Sequence, residues 1–280
     1  SENLRRMNVS LERFVPREFL RYLNKSSLDE IALGDHSAQR MTVLFSDIRS
    51  FSRISEKLPP EDTFRFINSY LERVVPSIRG HGGFVDKYLG DGVMALFPED
   101  ADAAVRCAVD MQRRISAFNR EQAGKWQEPV SAGIGIHSGL LMLGTIGEDE
   151  RMDGTVISDA VNLASRLEGL TKEYEIGIAV SEEIVNTLLD RSAWRTRYLG
   201  KIGVKGKREH VSVFEVYDGD PEDLILRKDS IRAPFEEAIA SFYRQDFPAA
   251  MTGFRSVLEV LPRDEASHYY IRMIRKMNLS

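Results

Sequence analysis

The sequence predicts a mixed α/β (α+β) fold, with a mainly antiparallel sheet followed by a small all-helical segment. An apolar run from Met41 to Phe45 is typical of a buried strand. Two further apolar runs, Phe84 to Leu89 and Val93 to Phe97, flank Gly90-Asp91-Gly92, and Asp-Gly between such runs is a strong hairpin signal. Two amphipathic helical patterns alternate with these strands. The resulting βαββαβ order is a ferredoxin-like arrangement, with helices packed on one face of the sheet.

Hydrophobic periodicity predicts the helices of this core and the elements that follow it. Pro60 to Arg79 and Ala101 to Phe118 carry apolar residues at spacings of three and four, which predicts two helices with one buried face each. Val130 to Gly147 predicts two strands, with His137-Ser-Gly139 as the connection between them. A further helix is expected from Ser158 to Tyr174.

The chain then returns to the sheet and completes a domain that we place at residues 41–218. Ile176 to Val180 predicts a strand, and Ser181 is expected to cap a helix that runs to Leu189. Two more strands are expected to close the sheet near Tyr217.

Both ends of the chain predict helical additions to this domain. Within residues 1–40, a short amphipathic helix opened by Pro16 is indicated by four apolar residues: Phe14, Phe19, Leu20 and Leu23. Two interpretations stay open for it, packing on its own domain or contact with a transmitter or a second copy. Residues 231–280 predict three short helices, and the Phe-x-x-Ala-x-x-x-Phe spacing from Phe247 resembles tetratricopeptide repeats. Because repeat arrays need about three units, we expect this segment to dock on the 41–218 domain or on a partner.

Composition excludes several classes of protein. The 280 residues are 42% hydrophobic and 29% charged, which is ordinary for a globular protein. A net charge of −5 argues against nucleic-acid binding. The lone Cys107 excludes an internal disulfide and predicts a buried thiol in a reducing, cytoplasmic compartment. Because the chain opens on Ser and lacks a long apolar run, we expect a cytoplasmic fragment that an upstream sensor or membrane region could precede.

Two aspartates stand at strand ends that the predicted sheet would bring together. Asp47 follows the strand from Met41, and Asp91 lies at the hairpin tip. Two adjacent carboxylates with no basic neighbour are costly unless a cation joins them, and Mg²⁺ prefers such oxygen ligands. The alternative is that Asp91 serves only the turn and Asp47 only caps the next helix. The residues alone leave both interpretations open.

Three motifs resemble those of the class III nucleotidyl cyclase catalytic domain. They are Phe45-Ser-Asp-Ile-Arg-Ser-Phe51, Lys87-Tyr-Leu-Gly-Asp91 and Thr155-Val-Ile-Ser-Asp-Ala-Val-Asn-Leu-Ala-Ser-Arg166. Together they are specific, and the resemblance covers roughly Met41 to Tyr217. It implies an adenylyl cyclase that converts ATP to cyclic AMP and pyrophosphate.

The resemblance also implies a role for each matching residue. Asp47 and Asp91, with the Ile48 carbonyl, would hold two Mg²⁺ or Mn²⁺ ions per active site. The remaining residues would contact the nucleotide, with Lys87 and Thr155 at adenine, Asn162 at the ribose, Arg166 at the pentavalent phosphorus and Lys205 at the β- and γ-phosphates. Alternatives are a solvated Lys87, an Arg166 ion pair with Glu168 or Glu173, and Lys207 in place of Lys205.

The sequence departs from the family pattern at three positions. Gly133 stands where some members carry a phosphate-binding arginine, for which Arg151 or a main-chain contact is the candidate substitute. Gly154 stands where an aromatic residue is usual, and Ser158 where glycine is usual. These departures bear on the shape of the pocket.

The family builds each active site between two catalytic domains, so a homodimer with two equivalent sites is expected. The segment before residue 41 is similar to the one that joins sensors to cyclase domains. Three alternative functions remain: a guanylyl or relaxed-specificity cyclase, a non-catalytic nucleotide-sensing module, and a protein that serves mainly as a docking partner through its C-terminal helices. The intact aspartate pair argues against the second, because degenerate members usually lose one aspartate.

Overall fold

The computed structural model describes residues 2–98, 101–125, 128–204 and 206–278. The helices are α1 (Glu2–Leu11), α2 (Arg17–Tyr22), α3 (Phe51–Glu56), α4 (Pro60–Val74), α5 (Pro76–Gly80), α6 (Ala101–Glu121), α7 (Asp159–Glu173), α8 (Glu182–Thr187), α9 (Glu222–Tyr243), α10 (Phe247–Val260) and α11 (Glu265–Asn278). The strands are β1 (His36–Ile48), β2 (Phe84–Leu89), β3 (Gly92–Phe97), β4 (Ala132–Glu148), β5 (Arg151–Ile157), β6 (Ile178–Ser181), β7 (Thr196–Gly203) and β8 (His210–Val216).

The eight strands form one sheet in the order β2-β3-β1-β4-β6-β8-β7, and β5 pairs with β4 outside this path. The pairing of β4 with β6 is parallel, and the other described pairs are antiparallel. The β2-β3-β1-β4 half has the chain order expected of the βαββαβ core. The predicted mixed fold with a mainly antiparallel sheet is therefore confirmed.

Helices cover both faces of the sheet. On one face, α4 and α6 contribute Phe66, Tyr70 and Val105 to a core that includes Leu44 of β1 and Ile134 of β4. This is the layer that the sequence predicts. The other face of β1 and β4 is covered by α2 and by α7, whose Ala160 and Ala164 belong to a second buried cluster. The expectation of helices on one face thus describes the βαββαβ core alone.

The hairpin is confirmed, but the interpretation of Val130 to Gly147 as two strands is wrong. The hairpin strands β2 and β3 have the expected positions, and Gly90 between them has φ +64. In contrast, β4 continues without a break through His137-Ser-Gly139. These polar residues resemble a turn, yet their side chains are paired within the fold. His137 Nδ1 lies 2.6 Å from Ser181 Oγ, and Ser138 Oγ lies 2.6 Å from Thr42 Oγ1.

The glycines of β4 allow α7 to approach the strand closely. A Cβ added at Gly135 would lie 2.2 Å from the backbone nitrogen of Glu168, and one at Gly139 would lie 2.7 Å from the Ala160 Cβ. Any side chain at these positions would push the helix away from the sheet. Gly139 therefore serves helix packing, and the turn that the sequence predicts there is absent from the described strand.

Two helix predictions need correction. The expected helix from Pro60 to Arg79 is divided at Val75, since Pro76 has no N–H to donate to the preceding turn. The side chain of Ser181 does not cap α8, because its hydroxyl bonds to His137 instead. The predicted buried thiol is present: Cys107 is fully buried, and burial raises its pKa to about 12.

The N-terminal helix α2 packs on its own domain. Phe19 and Leu23 lie in the same buried cluster as Met41 and Val43 of β1. Phe14 is 88% exposed and precedes the helix, so its assignment to the buried face is wrong. A transmitter or dimer role for this segment stays a prediction.

The C-terminal helices dock on the sheet, as expected, but α9 begins at Glu222 and not near Ile231. Pro221 precedes the helix and two acidic residues occupy its first turn, both of which favour a helix start. The cluster that these helices share with the sheet includes Leu199 of β7 and Val213 of β8, together with Phe235 and Phe254. None of the described helices has the length and apolarity that crossing a membrane requires.

We expect Phe254→Ala to destabilise the whole molecule. Phe254 of α10 is fully buried in the shared cluster, so its truncation should lower the free energy of unfolding by about 3–5 kcal/mol. Because the cluster includes α7 and β7, urea unfolding should remain one transition, with its midpoint lowered. Phe64→Ala, at a position 70% exposed, is the control with little effect. A separate early transition confined to residues 222–278 would contradict the shared core.

Candidate active site

The structure brings Asp47 and Asp91 together at one end of the sheet. Antiparallel pairing of β1 with β3 puts Ser46 opposite Val93, so the end of β1 meets the hairpin tip. The Ile48 N–H donates to Asp91 Oδ2 at 3.1 Å. The turn approaches β1 closely, since a Cβ added at Gly92 would lie 3.2 Å from the Ser46 carbonyl oxygen. We call these two aspartates the carboxylate pair.

The electrostatics of the carboxylate pair fit a bound cation. Burial, with the negative charge of Asp47 adding to it, raises the pKa of Asp91 to about 7. Asp47 Oδ1 is buried and has no hydrogen-bond partner among the described residues. A hard divalent ion would supply the missing partner of Asp47 and favour the charged form of Asp91. No group of three or more His, Cys, Asp or Glu side chains in the described residues could hold a metal, so further ligands would come from backbone, water or substrate.

The expectation that the pair has no basic neighbour is wrong. Lys172 Nζ, on α7, lies 3.1 Å from Asp47 Oδ2 and 3.8 Å from Glu168 Oε1. Burial raises the pKa of Glu168, and its buried Oε1 has no hydrogen-bond partner in the part of the chain that the structure describes. The sequence does show Glu168 and Lys172 four residues apart on one helix face. It does not show that this face meets the end of β1.

A cavity of about 520 Å³ opens between α7 and the loop that joins β7 to β8. It is lined by Asn162 and Arg166 of α7 and by Val204 and Lys207 of the loop. Ser158 fixes the start of α7, because its Oγ accepts the Ala160 N–H at 2.9 Å. We call this space the α7 cavity.

Hydrogen bonds in both directions between α7 and the β7–β8 connection hold the loop that closes this cavity. The Arg166 guanidinium donates to the Gly203 carbonyl, which differs from the alternative ion pair with Glu168 or Glu173. Lys207 Nζ lies 2.9 Å from Asp159 Oδ2. Lys205 lies outside the described residues, so its contact with phosphates stays a prediction.

The two base-recognition candidates are not brought together within one chain. Lys87 lies on β2 beside a register shift, with Nζ 3.6 Å from Asp86 Oδ2, and its side chain is partly exposed. Thr155 lies on β5, opposite Gly144 of β4. Strands β3, β1 and β4 separate β2 from β5 in the sheet.

The three departures from the family pattern have physical explanations in the fold. A Cβ at Gly133 would lie 1.8 Å from Thr171 Oγ1, so no arginine fits there. The candidate substitute Arg151 is exposed and pairs with Asp153 at 2.9 Å. A Cβ at Gly154 would lie 2.9 Å from the ring of Phe19, so α2 supplies an aromatic ring where β5 has none. Ser158, the third departure, is the cap of α7.

Comparison with known proteins gives a family match over most of the chain. A family model described as adenylate and guanylate cyclase catalytic domain matches residues 34–216. An adenylate cyclase of Anabaena cylindrica is 44% identical over 213 residues, which cover 74% of this chain and 42% of that protein. The terminal-differentiation-specific adenylate cyclase of Dictyostelium discoideum is 35% identical over 270 residues, 94% of this chain and 12% of that protein. The chain thus spans less than half the length of these curated relatives.

The solved structures agree with this match. The crystal structure of the adenylyl cyclase CyaB from P. aeruginosa is 33% identical, with a TM-score of 0.59 over 67% of this chain and 98% of that one. The family match ends at residue 216, and the resemblance of the C-terminal helices to tetratricopeptide repeats is not confirmed.

We expect cation binding at the carboxylate pair to weaken below neutral pH. The pKa of Asp91 is raised to about 7, so below that pH a divalent ion must displace a proton. Titration calorimetry with Mn²⁺ should show an affinity that falls about tenfold per pH unit below 7 and is level above it. Because the pKa of Asp91 is higher in the folded than in the unfolded state, the free energy of unfolding of the metal-free protein should fall as the pH rises from about 4 to about 7.

Asp91→Asn should bind Mn²⁺ weakly at every pH and should lose that part of the pH-dependent stability. Asp62→Asn, an exposed position on α4, is the matched control with unchanged binding. An Mn²⁺ affinity that does not change between pH 5.5 and 8 would contradict the raised pKa.

Proposed function

The chain belongs to the adenylate and guanylate cyclase catalytic-domain family, and we propose that it converts ATP to 3′,5′-cyclic AMP and pyrophosphate at a site shared by two copies. In this reaction the ribose 3′-oxygen forms a bond to the α-phosphorus as its proton is lost. The bond from the α-phosphorus to the bridging oxygen breaks, and pyrophosphate leaves. The observation that carries the proposal is the carboxylate pair with its unpartnered buried oxygen.

Asp47 and Asp91 would hold two divalent ions, Mg²⁺ or Mn²⁺, with the Ile48 carbonyl as a further ligand. When bound, these ions supply positive charge at the attacking and leaving oxygens. The chain contributes the rigid placement of the carboxylates, because Asp91 is tied to the backbone of β1 by the Ile48 N–H. Lys172 would help hold the Asp47 carboxylate in place, since its ammonium lies 3.1 Å from Oδ2.

Asn162 and Arg166 would act on the ribose and on the phosphorus. They are four residues apart on α7, so both project into the α7 cavity. A guanidinium suits the equatorial oxygens of a pentavalent phosphorus, because its planar array of donors can contact several oxygens together. Lys205, with Lys207 as its competitor, would contact the β- and γ-phosphates.

Helix geometry supports a site built by two copies. Lys172 contacts Asp47, and Asn162 lies ten residues earlier, which places it about 15 Å away along the helix axis. Arg166, the residue assigned to the α-phosphorus, lies six residues or about 9 Å from Lys172 along the same axis, so the carboxylate pair and the α7 cavity of one chain lie at separate levels of α7. A second copy, related by a two-fold axis, would bring its α7 cavity to the carboxylate pair of the first.

Exposed apolar residues on β4 and β5 supply a surface for that second copy. They are Leu140, Met142, Ile146, Met152 and Ile157. Met142 and Ile157 are directly opposite each other in the β4–β5 pairing, so part of this surface is continuous. Contiguous exposed apolar area of this kind is typical of protein–protein contacts.

Lys87 and Thr155 would select adenine. Lysine can donate to adenine N1, and the threonine hydroxyl can accept from the N6 amino group. Guanine presents the opposite polarity at both of these positions, so this residue pair favours ATP over GTP. A cyclase acting on GTP is the outcome that would separate this assignment from the catalytic one.

The first test measures cyclic AMP and cyclic GMP formed from ATP and GTP with Mn²⁺ across a protein dilution series. We expect cyclic AMP as the main product, with specific activity falling on dilution as the dimer dissociates. Asp91→Asn should lower activity by about 100-fold or more, because the ligand it removes anchors several kcal/mol of transition-state stabilisation. Asp62→Asn is the control with wild-type activity.

Each result of this test has a defined meaning. Cyclic GMP as the main product would overturn the base assignment and leave the catalytic core standing. A folded dimer that forms neither product would overturn the proposed activity and favour a nucleotide-binding regulator.

Complementation tests the shared site directly. Asp91→Asn removes a metal ligand and Arg166→Ala removes the transition-state cation, so each homodimer should be inactive. In an equal mixture, half of the dimers carry both variants, and one of their two sites is intact. Activity should therefore return to about a quarter of the wild-type value. If mixed dimers form on a sizing column and activity stays absent, the residues act within one chain.

A further inference from the structure

The C-terminal helices contact the two elements that carry the proposed phosphate chemistry. Leu163, Leu167 and Leu170 of α7 and Leu199 of β7 share a buried cluster with residues of α9, α10 and α11. These helices lie beyond residue 216, where the family match ends. Helix α7 therefore rests partly on a segment that lies outside the matched family model.

Two tyrosines from this segment form hydrogen bonds with the backbone of β7 where the strand is distorted. Pairing between β7 and β8 shifts register between Tyr198 and Gly200, and Gly200 has φ +102. Tyr270 Oη donates to the Leu199 carbonyl at 2.6 Å. On the other side of the glycine, the Lys201 N–H donates to Tyr243 Oη at 2.6 Å.

The space between these two hydroxyls and the backbone at position 200 admits only glycine. A Cβ added there would lie 1.9 Å from Tyr270 Oη and 2.7 Å from Tyr243 Oη. The positive φ also disfavours any other residue. The backbone of β7 and the two hydroxyls thus form one close-fitting unit, which we call the tyrosine clamp.

The tyrosine clamp lies three residues before the carbonyl that holds Arg166. Gly203, the last residue of β7, accepts the hydrogen bond from the Arg166 guanidinium. The strand then enters the loop of the α7 cavity, where Lys207 N donates to the Val204 carbonyl at 3.0 Å. A displacement at Lys201 would move Gly203, and with it both Arg166 and Lys207 of the loop.

A buried ionic network anchors the other end of the same strand. Arg197, fully buried near the start of β7, bonds to Glu215 Oε2 of β8 at 2.8 Å and to Asp264 Oδ1 at 2.9 Å. Lys228 of α9 also contacts Glu215 and lies 2.6 Å from Asp220 Oδ2. These pairs join the sheet to α9 and to the start of α11. The two helices that carry Tyr243 and Tyr270 are therefore held in a fixed position on the sheet.

We propose that Tyr243 and Tyr270 are positioning residues for the phosphate end of the active site, acting through β7 on Arg166 and the β7–β8 loop. This inference rests on the proposed function for its kinetic consequences. It assigns the C-terminal helices a role within the catalytic unit. Loss of the hydroxyls should weaken the binding of pyrophosphate and the stabilisation of the reacting α-phosphorus, while recognition of the base is unchanged.

The test uses the full chain with the double variant Tyr243→Phe/Tyr270→Phe. The inhibition constant of inorganic pyrophosphate should rise about tenfold, from the loss of two hydrogen bonds of ordinary strength. The kcat for cyclic AMP should fall by a similar factor, and the preference for ATP over GTP should stay at its wild-type value. An inhibition constant does not depend on how much of the enzyme is folded, so mere destabilisation would leave it unchanged.

Tyr217→Phe is the matched control. Its hydroxyl also joins the sheet to α9, by donating to Asp229 Oδ1 at 2.8 Å. It lies just after β8, at the opposite end of the β7–β8 pair from Gly203. This variant should retain the wild-type pyrophosphate constant and kcat.

Hydrogen exchange of residues 198–208 adds a readout that needs no activity. The Lys201 amide loses its acceptor in Tyr243→Phe, so exchange in this segment should be faster than in wild type and in Tyr217→Phe. Unchanged exchange, or an unchanged pyrophosphate constant in an active double variant, would overturn the proposal. If wild-type protein forms no cyclic nucleotide, the proposed function fails, and the exchange result alone decides whether the clamp positions the loop.

Discussion

Two carboxylates held side by side at the end of a buried strand are the constraint on which the rest of the site depends. The pairing of β1 with β3 leaves Asp47 and Asp91 no freedom to separate, because the Ile48 N–H fixes the second carboxylate to the backbone of the first strand. Burial of the pair opposes its double charge, as the raised pKa of Asp91 shows. The ammonium of Lys172 balances part of that negative charge, and a divalent ion would balance the rest.

Helix α7 joins the parts of the site into one rigid unit. Its small residues fit against the glycines of β4, its Lys172 reaches Asp47, and its Arg166 bonds to the end of β7. A shift of this helix would therefore change both the charge beside the carboxylate pair and the shape of the α7 cavity. The same rigidity separates the two groups of residues within one chain, which is the physical argument for a site completed by a second copy.

The C-terminal helices extend this rigid unit beyond the matched family domain. They bury Phe235 and Phe254 against α7 and the last strands, and the C-terminal segment pairs the buried charges of Asp264 with Arg197 and of Lys228 with Glu215. Buried ion pairs contribute little net stability compared with apolar packing, but breaking one is costly. Their physical effect here is to fix one orientation of the helices on the sheet, and that orientation aims Tyr243 and Tyr270 at β7.

The sequence by itself determined most of the local elements and singled out the two aspartates that the fold brings together. Apolar runs and Asp-Gly turn chemistry predicted β2, β3 and the position of Asp91, and helical spacing put Asn162 and Arg166 on one face of α7. These features depend on neighbours within a few residues. Only the tertiary structure decided that Lys172 meets Asp47, that Thr171 occupies the space beside Gly133 and that Phe19 covers Gly154. Such contacts join residues far apart in the chain, and no local pattern encodes which surfaces will meet.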